Sequence, residues 1–587
     1  MRIAFQILAL TPSPSHDIIG AILRWRGCKV RQARYWIWLL LVFGVMGGVA
    51  GENEIEEAHQ LSLDFVTPHT KWAKPYAGGR VRVLYFTKGT ESNAREIVEL
   101  MERFDIQADA VYWTNIVDTP TWEWHGGAEG LKRILRLLAK PYDVYLFQEI
   151  PLANLTAEAQ YKLLKPVTEG AGLVLLGTGD GRVLKPQNRL NPPPSFLKGT
   201  GAEAYRINNG RGIRLPAPPN IPYRFGWEVE YDHWIEGLGR AVLWAARREP
   251  KVELSVSIPE TINQEKAKGT MEVRCDSMPA RARFAGHLRC EEDGATIPLK
   301  LPVQVQSPAR IALPHLRAGR YYVAMWLRTP RGVEAWATGA FTVTSARGIE
   351  SIKPERTWAE VGETFVGQIN LREPLQAKEW LEARLKDRKG RILAWRRMKP
   401  QGSVASYSFK VQSWFPMLLE LEAVRHDSQG EAAAASSYLH VTKRNRDQFN
   451  FLVWDYPRGP SAPYAEEALK KLGMTIQLAG GTPPPFVAAF DVAWVPYTTR
   501  ILAPLDERGY MQPVCWNDEP AVQRYIQGIV DQQQGAREHG VFVYSLGDET
   551  VTRGACLHPA CLIAYRRYLQ EQYKNIESLN SSWGSHY

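Results

Sequence analysis

The hydrophobic period changes twice along this chain, and those two changes limit what it can fold into. From Val81 onward, short apolar runs alternate with amphipathic stretches: 81–86, 108–113, 142–147 and 172–177 read as strands, and 94–104, 131–138 and 234–246 as helices. Apolar strands separated by helices call for a parallel sheet covered on both faces, which assigns 80–248 to a doubly wound α/β domain. Near Lys251 the pattern becomes short alternating strands with turn signals at sandwich spacing, in two units of about 95 residues. These predict two immunoglobulin-like β-sandwiches at 251–345 and 350–443. After Lys443-Arg444-Asn445-Arg446 the strand–helix alternation returns, with strands expected at 449–454, 474–478, 490–495 and 541–546 and helices at 464–472 and 519–538. Four βα units make half of a (β/α)8 barrel, whose catalytic groups gather at the C-terminal ends of its strands. The expected fold class is therefore multidomain: a doubly wound α/β domain, two β-sandwiches and, at 448–587, a truncated TIM barrel.

Composition agrees with this count. A chain of 587 residues with 45% hydrophobic and 23% charged positions holds roughly three to five domains and is neither disordered nor fibrous. Its 20 Trp and 24 Tyr suit either large cores or flat surfaces that stack on sugar rings.

The formal charge of +10 argues for nucleic-acid binding only until it is located. Residues 1–50 carry six basic residues against Asp17, leaving +5 for the remainder, where acids and bases intersperse. Within that leader, the apolar run 35–46 follows a basic stretch and precedes the small residues Gly48-Val49-Ala50. Such an order describes a secretory signal peptide with an over-long start, or an uncleaved anchor if it is retained. The expected location is secreted, periplasmic or cell-surface, with 51–79 as a linker and no membrane insertion beyond the leader.

Export leaves five cysteines. Cys275 and Cys290 could bridge neighbouring strands, while Cys515, Cys556 and Cys561 form an odd set that fits either a metal site or a disulfide plus one free thiol. Three thiolates fall one short of a closed structural zinc site, and His558 stands between the last two as a possible fourth ligand.

Two resemblances add to this reading. The 80–248 block resembles the glutamine-amidotransferase-like, flavodoxin-like domains that accompany carbohydrate enzymes; residues 51–274 contain no Cys, so the thiol chemistry of that family is absent. Gly177-Thr178-Gly179-Asp180-Gly181 could receive a ligand at a strand end, but it lacks dinucleotide-binding spacing and reads more simply as a glycine-rich loop. The second resemblance covers 448–587. Gly547-Asp548-Glu549 after the fourth expected strand, the cysteine-bearing loop, and the phrase from Cys561 through Tyr565-Arg566-Arg567-Tyr568-Leu569 and Leu579-Asn580 to Trp583-Gly584 are similar to family 42 glycoside hydrolases of the β-galactosidase kind. That resemblance implies retaining hydrolysis of an oligo- or polysaccharide, with Glu549 as general acid/base, Asp548 at the substrate and Cys515, Cys556 and Cys561 as zinc ligands. No cofactor is required beyond a possible structural zinc, and oligomers are possible.

The family usually has Asn where Asp548 stands. An ionised Asp can only accept hydrogen bonds, and it raises the pKa of a neighbouring carboxyl, which suits an acid that must hold its proton. A retaining mechanism also needs a second carboxylate about 5–5.5 Å away. The resemblance places that group on the seventh barrel strand, so this chain is expected to be a fragment, inactive by itself and poorly stable in its last 140 residues. The alternative is a non-catalytic carbohydrate-binding or cell-surface scaffold.

Overall fold

The computed structural model describes residues 54–89, 94–115, 121–177, 182–266, 269–302, 306–459, 461–479, 486–498, 504–547 and 554–587. The leader 1–50, residues 178–181 of the glycine-rich loop, Asp548 and Glu549 lie outside them. The chain is mixed α/β, with its strands distributed over several sheets.

Strands β1 (Val81–Lys88), β2 (Ile106–Asn115), β3 (Trp122–Trp124), β4 (Val144–Gln148), β5 (Gly172–Leu176), β6 (Glu203–Ile207) and β7 (Gly210–Leu215) form one sheet in the order 3-2-1-4-5-7-6. The five central strands are parallel, and the edge strands β3 and β6 are antiparallel. Alternation on β1 sorts the two faces. Val81, Val83 and Tyr85 join a core with Ile97, Leu100 and the helix Trp227–Ala245. Leu84 and Phe86 join another with Ile134, Leu137, Leu163 and Val167 of the helices Gly127–Leu137 and Ala157–Glu169. The latter helix begins where the Thr156 side chain accepts from the Ala159 N–H at 3.3 Å, a cap contributing about 1 kcal/mol. Gly239 lets the 227–245 helix lie directly on the Phe104 ring, where any Cβ would collide.

The two strand-rich units each pair a three-stranded with a five-stranded sheet around one core. Their strand orders correspond one for one. In each, the third strand lies at the centre of the small sheet, and the second joins the large sheet beside its last strand in parallel. Cys275 and Cys290, considered above as a bridge between neighbouring strands, lie on strands of different sheets, and both are free thiols buried in the core.

Residues 54–79, read from sequence as a linker, pack instead as a strap. Trp72 is buried and its carbonyl accepts from Trp326 Nε1 at 3.0 Å. The Thr67 hydroxyl lies within hydrogen-bond distance of the Glu99 and Glu102 carboxylates. Beneath the strap, Asp232 accepts from Arg103 at 2.6 Å and from Arg289 of the first sandwich at 3.0 Å. Arg103 also pairs with Glu99. Burial alone would raise the Asp232 pKa, but the two guanidiniums outweigh it and hold the carboxyl below its usual range.

Candidate functional site

The C-terminal segment forms a parallel sheet in simple chain order. Leu452–Val453 pairs with Ile476–Ala479, which pairs with Ala493–Pro496. Beyond these named strands, parallel bridges join Trp494 to Val541 and Tyr497 to Ser545. The stretch 541–546, expected as a full strand, instead makes isolated bridges at the same sheet edge, at Val541 and Ser545. Val492, Ala493, Trp494 and Val495 form its buried centre with Val487, Ala488 and Val541.

Glu466 on the helix Ala462–Lys471 sits in this core, fully buried. The side-chain amide of Gln477 on the second strand lies 2.9 and 3.1 Å from the two Glu466 carboxyl oxygens. Burial pushes the Glu466 pKa up to about 8. It is a structural acid that the sequence reading missed; its one signal was a Glu on the apolar side of an otherwise amphipathic helix.

At the C-terminal ends of the strands, Trp454 follows the first and Tyr497 the third, their ring centroids 6.4 Å apart and nearly perpendicular. Gly547 is the last described residue before Asp548 and Glu549. Ser545, two positions before Gly547, pairs beside Tyr497.

The three C-terminal cysteines come together although 46 positions separate the first from the last. Their sulfurs all lie within 4.8 Å of one another, and Cys515 and Cys561 are 3.4 Å apart. That separation is far beyond a disulfide bond of about 2.0 Å. It matches the edge of about 3.8 Å that four sulfurs form around zinc at about 2.3 Å.

Local structure explains the convergence. Asp506 accepts from the backbone N–H groups of Arg508 and Tyr510, folding a turn that brings the Met511 N–H to 3.3 Å from Cys556 Sγ. Cys515 precedes the helix Glu519–Gln533, and Cys561 lies in the first turn of Pro559–Tyr573. Helix N-termini present partial positive charge, which favours thiolates. Asn517 Nδ2 donates to Cys561 Sγ at 3.1 Å.

Burial opposes ionisation of Cys556, but N–H donors from Met511 and His558 outweigh it and lower that pKa. Cys561, desolvated and facing the other sulfurs, is pushed up to about 11. Three thiols this close cannot all ionise without a cation among them, so the donor set fits a thiophilic metal such as zinc.

His558 has a different part from the ligand role considered for it. Its Nδ1 accepts from the Ala560 N–H at 3.2 Å, capping the helix, and its Nε2 faces Asp518 at 3.7 Å. Asn517 and Met511 were not singled out in the sequence, since a hydrogen bond to sulfur leaves no residue pattern.

Residues 467–587 match the family model of glycoside hydrolase family 42, described as Beta-galactosidase. The C-terminal segment, cysteine group included, is thus similar to β-galactosidases of that family. No curated protein matches the chain. Among solved structures, a crystal structure of chicken CNTN1 FN1-FN3 domains matches at 11% identity, covering 35% of this chain and 72% of that one with a TM-score of 0.14. A likeness that low carries no argument.

Among the described residues, no helix is long and apolar enough to cross a membrane.

Proposed function

We propose that the chain belongs to an exported, retaining glycoside hydrolase of the β-galactosidase kind, in which Glu549 is the general acid/base. The observation that carries this reading is the parallel sheet at 452–496, most of it within the family-matched residues 467–587, whose strands neighbour one another in chain order as a (β/α)8 barrel requires. Asp548 and Glu549 then follow the fourth strand at the end where such barrels place their chemistry. Trp454 and Tyr497 offer aromatic faces at the same end for a sugar ring.

In this mechanism Glu549 protonates the glycosidic oxygen as the bond to the leaving group breaks. A second carboxylate attacks the anomeric carbon, and Glu549 then takes a proton from the water that releases the sugar. Asp548 accepts from a sugar hydroxyl and helps Glu549 keep its proton until it is needed.

The second carboxylate is proposed to lie on four further βα units of the complete polypeptide. Burial supports this. The helix 519–533 buries only Gln533 and the helix 559–573 buries no residue, leaving Ile526, Val530, Ile563 and Tyr568 exposed. In a closed barrel those apolar faces cover neighbouring strands. Cys515, Cys556 and Cys561 would hold a structural zinc that pins the two helix starts together.

The α/β unit, with its parallel strands in the order 2-1-4-5-7, is read as flavodoxin-like, and the matched pair of two-sheet units as tandem immunoglobulin-like sandwiches. Export rests on the leader pattern. The reading is tested by replacing Glu549 with Gln in the complete protein and measuring hydrolysis of an unactivated β-galactoside.

A further inference from the structure

A groove of about 530 Å³ opens on the second sandwich, outside the C-terminal segment. It lies where the edge strand Ile392–Met398 of the five-stranded sheet approaches the edge strand Val404–Lys410 of the three-stranded one. Two tryptophans flank it, Trp395 at 61% exposure and Trp414 at 60%. Exposed tryptophans are costly surface unless something covers them, and here two share one concavity of ligand-binding size.

The polar part of the lining is Arg396, Lys410 and Gln412, with no acidic residue among the described residues of the groove. Neither Arg396 nor Lys410 forms an ion pair among the described residues. The groove therefore offers flat apolar faces beside uncompensated positive charge and an amide that can both donate and accept. A neutral apolar peptide would leave both cations unmatched. Strand addition is disfavoured as well, because the edge strand and its flanks expose Arg391, Arg396, Arg397 and Lys399, and a row of like charge blunts an edge.

We propose that this groove binds an oligosaccharide bearing acidic groups, carboxylate or sulfate. The sugar rings stack on Trp395 and Trp414, and the acidic groups face Arg396 and Lys410. The proposal draws its ligand class from the carbohydrate reading above but needs no hydrolysis, so a chain with Glu549 replaced by Gln should bind equally well here.

The test is titration calorimetry on the full chain with three probes: tetragalacturonate, a κ-carrageenan tetrasaccharide and neutral β-1,4-galactotetraose. At least one acidic probe should bind at least tenfold more tightly than the neutral one, and more weakly as salt rises. Trp395→Ala and Trp414→Ala should each lose at least tenfold, and Trp395→Phe should regain most of the loss. The Arg396→Ala/Lys410→Ala pair should erase the preference for acid. Tyr161→Ala, an exposed aromatic on the α/β unit, should change nothing.

Any of these binding results overturns the proposal: no acidic probe binding the parent chain, equal affinity for the neutral probe, affinity that survives both tryptophan substitutions, or a preference for acid that survives the Arg396→Ala/Lys410→Ala pair. A self-association that Trp395→Ala abolishes in sedimentation would also overturn it, by assigning the face to a second copy.

Discussion

Trp494 and Val541 are parallel neighbours, with the Phe542 N–H donating to the Trp494 carbonyl at 2.8 Å and the Trp494 N–H to the Gly540 carbonyl at 3.2 Å. This pairing sets 541–545 beside the third strand of the C-terminal sheet and so fixes where the chain entering Asp548 and Glu549 begins.

The cysteine group predicts bound metal. Purified protein should contain about one zinc per chain by mass spectrometry, and Cys515→Ser or Cys561→Ser should lose it and lower the unfolding temperature. Protein that stays metal-free in zinc-containing buffer, with all three thiols titrating freely, would remove zinc from the account.

Glu466 predicts a pH dependence of stability. Its pKa is about 8 in the folded chain against an ordinary 4.5, so the folded state holds a proton that the unfolded state releases. The stabilising effect of the neutral form is complete below about pH 4.5 and is lost as pH rises toward and through 8. Glu466→Gln should therefore flatten this fall and stabilise the protein at pH 8 by on the order of 1 kcal/mol or more in urea unfolding. A fall of the same size in the variant would show that another group is responsible.

Asp232 predicts a coupling between the α/β unit and the first sandwich. Asp232→Ala leaves Arg103 buried without one of its carboxylate partners and releases Arg289, at a cost of about 3 kcal/mol. Denaturant unfolding checks this, and a loss below about 1 kcal/mol would mean that the Arg103–Glu99 pair alone suffices.

Much of the architecture was legible because period reports burial directly. The run 81–86 lies within the strand Val81–Lys88, and 172–177 covers the strand Gly172–Leu176. The helix Ala157–Glu169 escaped because Pro166 interrupts its pattern, and the strand Arg283–Cys290 because Gly286 and His287 break its alternation. Residues 54–79 read as a linker because their packing depends on partners as distant as Trp326, which no local pattern records. The cysteine group was legible as residue types but not as geometry. The turn at Asp506 brings Met511 to Cys556, and His558 serves as a helix cap that sequence alone cannot tell from a ligand.

The central claim is that Glu549 is the proton donor of a glycosidase, and one comparison tests it most directly. The complete protein and its Glu549→Gln form are assayed side by side on lactose, with release of galactose as the signal. The account predicts turnover by the parent protein and a loss of about 100- to 10,000-fold in kcat for the variant, at unchanged unfolding temperature. Equal turnover by the two proteins, or a complete protein that releases no sugar from any β-galactoside, would contradict it.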